Sequence, residues 1–130
     1  MGKGDWGSKK NGMSDRDFGE DRREYGRKRL DESSAPDDPI KLLVLWLEDA
    51  RKSGTTDHTA MTLSTVGSEG NPTSRIVLLK KIEAGNLLFF TSMNSRKARD
   101  IKTNNHVAIH FYCTEKESQV KMDGKAQKKE

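Results

Sequence analysis

Apolar residues are sparse over positions 1–36, where after Met1 the larger ones are Trp6, Met13, Phe18, Tyr25 and Leu30, set among scattered Gly, Lys, Arg, Asp and Glu. Such a stretch cannot bury enough apolar surface to offset the entropy of ordering it, so it is expected to be a mostly disordered polar arm. Regular patterning begins at Asp37-Asp38-Pro39, which sets the expected folded domain at 37–130. Asp38 suits a helix N-cap, and Pro39 suits the first helical position because its missing N–H is not needed there. From Ile40 to Ala50, Leu43, Leu47 and Ala50 fall on one helical face with Leu42 and Trp46 beside them. Arg51 and Lys52 complement the negative helix end, and Gly54 supplies a stop.

The period then changes. Thr59 to Val66 is rich in Thr, Val and Met with partial alternation, and Gly67-Ser68-Glu69-Gly70-Asn71 is turn chemistry. Pro72 to Lys80 reads as a second strand, Ala84-Gly85-Asn86 as a turn, and Leu87 to Ser92 as a third strand. The connections are too short for crossover helices, so these three strands are expected to form an antiparallel meander. Asn94 or Ser95 caps a short helix through Ile101 that ends at Asn104-Asn105, and His106 to Cys113 and Gln119 to Gln127 read as two further strands. Helix, three strands, helix, two strands predicts an α+β fold with a small antiparallel β-barrel and flanking helices. Five strands rarely close a barrel around a filled core, so an open edge is expected. Either a partner subunit covers that edge, or the barrel is incomplete at the C-terminus because the chain is part of something longer.

Composition narrows the function classes. Hydrophobic residues make up 32% and charged residues 34%, which fits a chain that folds only in part. The net charge of +4 comes from interspersed signs, which speaks against a basic nucleic-acid arm. A single cysteine, Cys113, cannot form an internal disulfide, so a reducing compartment is the default. The N-terminus has no apolar signal core, no run is long enough to span a bilayer, and Trp6 stands where a myristoylation site wants Ser or Thr. The expectation is a cytoplasmic protein with neither nucleic acid nor membrane as partner.

Asn94-Ser95-Arg96-Lys97 is the most informative local feature. It caps a helix yet sets two cations in the first turn, where the helix dipole disfavours them by a few tenths of a kcal/mol or more. Free N–H groups, a hydroxyl and two cations make a phosphate site; the alternative is a solvated pair that tolerates the repulsion. In Arg75-Ile76-Val77-Leu78-Leu79-Lys80, period two puts Arg75 with Val77 and Leu79, and Lys80 with Ile76 and Leu78. Either the two cations snorkel to solvent, or Arg75 reaches a cofactor phosphate and Lys80 faces a bound ring. Thr91 follows Phe90 immediately before the capped turn, and Gln119 opens the last strand with both an amide donor and an acceptor. His58, His106 and His110 show no metal spacing, and no catalytic triad, dinucleotide loop or P-loop is present. Phe89, Phe90, Phe111 and Tyr112 are read as core rather than RNA-stacking residues, and Cys113 as a small buried residue.

Taken in order, RREY at 22–25, DPIKLLVLWLEDA at 38–50, SRIVLLK at 74–80, FFTSMNSRKARDI at 89–101 and SQVKMDGKA at 118–126 resemble the pyridoxamine/pyridoxine 5′-phosphate oxidase family. The resemblance runs from about Arg22 to the end of the chain and implies an FMN-binding split barrel. It implies FMN contacts from Arg75, Ile76, Val77 and Leu78, from Phe90 and Thr91, from Arg96 and Lys97, and from Gln119 across a homodimer interface. It implies a pyridine-substrate contact at Lys80, and closure over the substrate by Arg22, Arg23, Glu24 and Tyr25. The implied reaction takes a hydride equivalent from C4′ of pyridoxamine or pyridoxine 5′-phosphate to FMN, with O2 as final acceptor and pyridoxal 5′-phosphate as product. No residue stands out as an obligatory general base. Two departures qualify the match: Phe90 stands where the family commonly has Tyr, and the family's second half, with its Arg/His pair for substrate, is missing. Weak or absent turnover is therefore expected of this chain alone. The competing readings are a non-catalytic flavin-binding split-barrel protein and a plain dimerisation module.

Overall fold

The computed structural model describes residues 38–129. Arg22, Arg23, Glu24 and Tyr25, and the arm expected over 1–36, lie outside the described residues. Helix α1 (Pro39–Lys52) starts where expected: Asp38 in extended conformation accepts the Ile40 N–H at 2.9 Å, and Pro39 takes the first turn. Past its end, Gly54 has φ +92, a left-handed conformation that glycine adopts without strain.

Strands β1 (Ala60–Val66) and β2 (Pro72–Leu78) form an antiparallel hairpin in which Leu63 faces Arg75 and Thr65 faces Thr73. The chain then departs from the expected meander. The strand read over Pro72–Lys80 ends at Leu78; Leu79 still donates to Thr59 O, and Lys80 donates to Leu88 O, so the chain crosses to the second sheet before β3 (Lys81–Glu83). The strand read over Leu87–Ser92 is only β4 (Asn86–Leu88), paired with β3 in a separate two-stranded sheet. Ala84 and Gly85 both have positive φ (52 and 79), the two-residue turn whose twist suits a tight hairpin, and it locks Glu83 opposite Asn86. Helix α2 (Arg96–Thr103) then returns the chain, and β5 (His106–Cys113) pairs with the free edge of β1, leaving no place there for a third meander strand. Strand β6 (Ser118–Lys125) completes a four-stranded antiparallel sheet of order β2-β1-β5-β6. The α+β class holds, and no closed barrel forms among the described residues.

The two faces of the sheet differ. Met61, Leu63, Val77, Leu79 and Phe111 point inward and pack with Leu43 of α1. Trp46 anchors the helix to the sheet: its ring lies 6.1 Å from that of Phe111, and its Nε1 donates to Ser118 Oγ at 2.9 Å. The opposite face exposes Ile76, Leu78 and Tyr112. No helix among the described residues is long and apolar enough to cross a membrane.

Candidate functional site

The N-terminus of α2 is built by Ser95. Its Oγ donates to Ser92 O at 2.8 Å and accepts from Ala98 N at 3.2 Å, so it acts as the cap, and it lies 3.1 Å from Thr91 Oγ1. The backbone N–H groups of Arg96 and Lys97 take no acceptor among the described residues, nor does the Lys97 ammonium. The turn therefore presents two free backbone donors, a hydroxyl pair and a cation, a donor set suited to an anionic oxygen group.

Arg96 is held from behind. Its Nε donates to Asp100 Oδ1 at 3.3 Å, one helical turn on. Asp100 is only 5% exposed, and its Oδ2 accepts from Thr65 Oγ1 at 2.9 Å and Thr73 Oγ1 at 3.0 Å. Burial disfavours the charged carboxylate, but the hydrogen bonds from Thr65, Thr73 and Arg96 outweigh it and hold the Asp100 carboxyl below its ordinary range. Arg75 enters the same cluster from the sheet. It donates to Leu63 O at 3.1 Å, Thr65 Oγ1 at 2.8 Å and Thr73 Oγ1 at 2.7 Å, with Nη2 3.9 Å from Asp100 Oδ2. Its guanidinium thus sits on the inner face, among partners supplied by β1 and β2.

A cleft of about 1170 Å³ opens between α2, the β3–β4 hairpin and the segment after β6. Lys80, Phe90 and Thr91 line it; Arg75, Arg96, Lys97 and Gln119 do not. Leu87, Phe89 and Ile101 give it an apolar floor, and its charged lining residues are all lysines. Lys81 and Lys129 are neutralised by Glu83 at 2.9 and 2.8 Å, whereas the Lys80 ammonium has no partner among the described residues. Phe90 is 79% exposed, an aromatic ring without cover. The chemistry of this wall, aromatic and cationic without acids, suits a planar ring carrying a phosphate.

Gln119 lies on the outer face of β6, where its Oε1 is 2.6 Å from His110 Nε2. Ile76 and Leu78 share that face but sit on β2, three strand spacings or about 14 Å away. Val77, between them, is buried in the core. Among the described residues the expected site therefore falls into three groups, Arg75 and Arg96 joined through Asp100, Lys80 with Phe90 and Thr91 around the cleft, and Ile76, Leu78 and Gln119 on the open sheet face, with Lys97 on the first turn of α2 and Val77 in the core. Sequence reasoning missed Asp100, Thr65, Thr73 and His110. The four-residue spacing of Arg96 and Asp100 was a readable signal for the first; the others needed the strand register.

A family model described as pyridoxamine 5′-phosphate oxidase matches residues 47–130. The pyridoxine/pyridoxamine 5′-phosphate oxidase of Legionella pneumophila (strain Lens) is 44% identical over 107 residues, covering 82% of this chain and 50% of that protein. Among solved structures, PhzG from Burkholderia lata, crystallised with tetrahydrophenazine-1-carboxylic acid, superposes with a TM-score of 0.71 at 27% identity, covering 76% of this chain and 50% of that one. A pyridoxamine 5′-phosphate oxidase-related, FMN binding protein from Nostoc punctiforme gives a TM-score of 0.59 at 22% identity over 67% of this chain and 45% of its own, a likeness of fold. The chain spans about half the length of the curated relatives it matches.

Proposed function

The chain belongs to the pyridoxamine 5′-phosphate oxidase family, and from that premise we propose that it binds FMN and serves the oxidation of pyridoxamine or pyridoxine 5′-phosphate to pyridoxal 5′-phosphate, with O2 as acceptor. The observation that carries this reading is the capped turn at Ser95, with its free N–H groups and unpaired Lys97, set beside an acid-free cleft that holds Lys80 and Phe90. FMN supplies a two-electron acceptor; the residues of this chain bind and orient it. Arg96, Lys97 and the N–H groups of the first turn of α2 hold its phosphate, and Thr91 and Phe90 meet the ribityl chain and ring edge.

Lys80 faces the pyridine substrate, whose own phosphate favours a cationic wall. Ile76 and Leu78, apolar and exposed, form the surface on which a second copy and the flavin ring settle, with Arg75 and Val77 supporting that strand from inside. In a homodimer, Gln119 of one copy reaches the flavin of the other. His110 holds its Oε1, which leaves the amide N–H groups free to donate. Arg22, Arg23, Glu24 and Tyr25, outside the described residues, complete the contacts to the substrate. Positioning and charge complementarity are the protein's contribution to rate, and no general base is assigned.

FMN uptake is the direct test on this chain. The purified protein incubated with FMN and desalted is expected to stay yellow and to quench flavin fluorescence, with Lys97→Ala weakening uptake. A colourless protein that takes up no FMN, alone or as a dimer, would sink the reading. Pyridoxal 5′-phosphate formation with O2 consumption is followed separately, so that binding and turnover are distinguished.

A further inference from the structure

On the reading that α2 holds the flavin phosphate, we propose that Asp100 is a positioning residue for that phosphate: it fixes the Arg96 guanidinium so that its outer edge faces the ligand. The carboxylate is immobile because its anchors come from outside its own helix, Thr65 on β1 and Thr73 on β2. Those two bonds alone would tie α2 to the sheet. The remaining oxygen goes to Arg96 Nε, and Arg96 is 59% exposed, in the first turn of a helix whose dipole repels it. Gripped at Nε, the guanidinium keeps its two terminal nitrogens free as a fork, the geometry that matches two phosphate oxygens.

The turn after β1 lies against the same pair: a Cβ added to Gly67 would be 3.4 Å from Asp100 Oδ1 and 3.7 Å from Arg96 Nη2, ordinary van der Waals contact. Asp100 also stands between two like charges, Arg96 at 3.3 Å and Arg75 at 3.9 Å, and offsets their repulsion. Released from Asp100, Arg96 would sample many rotamers and lose that freedom each time a ligand bound.

The test compares FMN with riboflavin, which lacks the phosphate, by fluorescence-quenching titration of the full 130-residue chain. Asp100→Asn is expected to weaken FMN binding roughly 3- to 10-fold, the effect of un-ordering one long side chain, while riboflavin affinity stays within about twofold. Combined with Arg96→Ala, its effect should not add, because both changes remove the same fork. Should Asp100→Asn fail to fold, Arg96→Lys serves instead: the side chain is exposed, the charge remains, and the Nε grip is gone, so the FMN preference should fall likewise. A folded Asp100→Asn, or Arg96→Lys, that keeps the wild-type FMN-to-riboflavin ratio overturns the proposal, as does an equal loss for both flavins. Wild-type protein that binds neither flavin overturns the flavin reading itself and this role with it, an outcome distinct from failure of the variants alone.

Discussion

Thr65→Val probes the buried cluster through a residue that touches no ligand. Thr65 is 0% exposed, and its Oγ1 donates to Asp100 at 2.9 Å while accepting from Arg75 Nη1 at 2.8 Å. Valine keeps the shape and removes both bonds. Each hydrogen bond to a charged group contributes about 1.5–3 kcal/mol, and the added buried methyl returns roughly 1 kcal/mol. Neither charge is stranded, because Asp100 keeps Thr73 and Arg96, and Arg75 keeps Leu63 O and Thr73. A net destabilisation of about 2–5 kcal/mol is expected. For a domain of this size that lowers Tm by roughly 10–40 °C. Ser64→Ala is the matched control: the next residue along points to the opposite, exposed face and meets Ser74 Oγ at 2.8 Å, so its loss should stay within about 0.5 kcal/mol. Urea unfolding followed by tryptophan fluorescence and circular dichroism measures both. A Thr65→Val penalty below about 1 kcal/mol, or an equal penalty for Ser64→Ala, would show that the cluster is not the tie described.

Three further outcomes follow from the geometry. Leu43→Ala, on the buried face of α1, should lose about 2–5 kcal/mol, whereas the same change at exposed Leu45 should lose under about 0.5; equal losses would contradict the packing of α1. Trp46→Phe removes the 2.9 Å bond to Ser118 and should lower stability by about 1 kcal/mol or more, read from the urea midpoint. Because the folded Asp100 carboxyl is held below its ordinary value, it contributes stability that is present above about pH 3.9 and is lost as the pH falls through the lowered folded value. The wild-type urea midpoint should therefore fall more steeply than that of Asp100→Asn as the pH drops below about 4, and parallel profiles there would remove Asp100 from the acid response.

How much of this was legible depends on whether the deciding information is local. The cap at Asp38, the proline after it and the apolar stripe through Leu43 and Ala50 define α1 within its own residues, and Ser95 defines the start of α2 in the same way. The third meander strand failed because strand pairing is a competition: β5 occupies the edge of β1, and the Ala84–Gly85 turn folds Lys81–Glu83 back on Asn86–Leu88. Arg75 shows the limit most sharply. Alternation grouped it with Val77 and Leu79, apart from Ile76 and Leu78, but both sets are apolar, so period two stated which residues share a face and not which face is inside. The register with β1 decides it, since Arg75 lies opposite buried Leu63 and faces inward to Thr65 and Thr73. The same choice leaves Ile76 and Leu78 uncovered on a sheet face that also carries Gln119. On the proposed reading, the apolar pair at one edge of this open face and the amide at the other are the groups that a second subunit and a flat ring would meet. Charging that face with Ile76→Lys should therefore reduce FMN uptake and self-association together while the inner cluster around Asp100 stays intact; sedimentation and flavin titration unchanged from wild type would separate this face from the site.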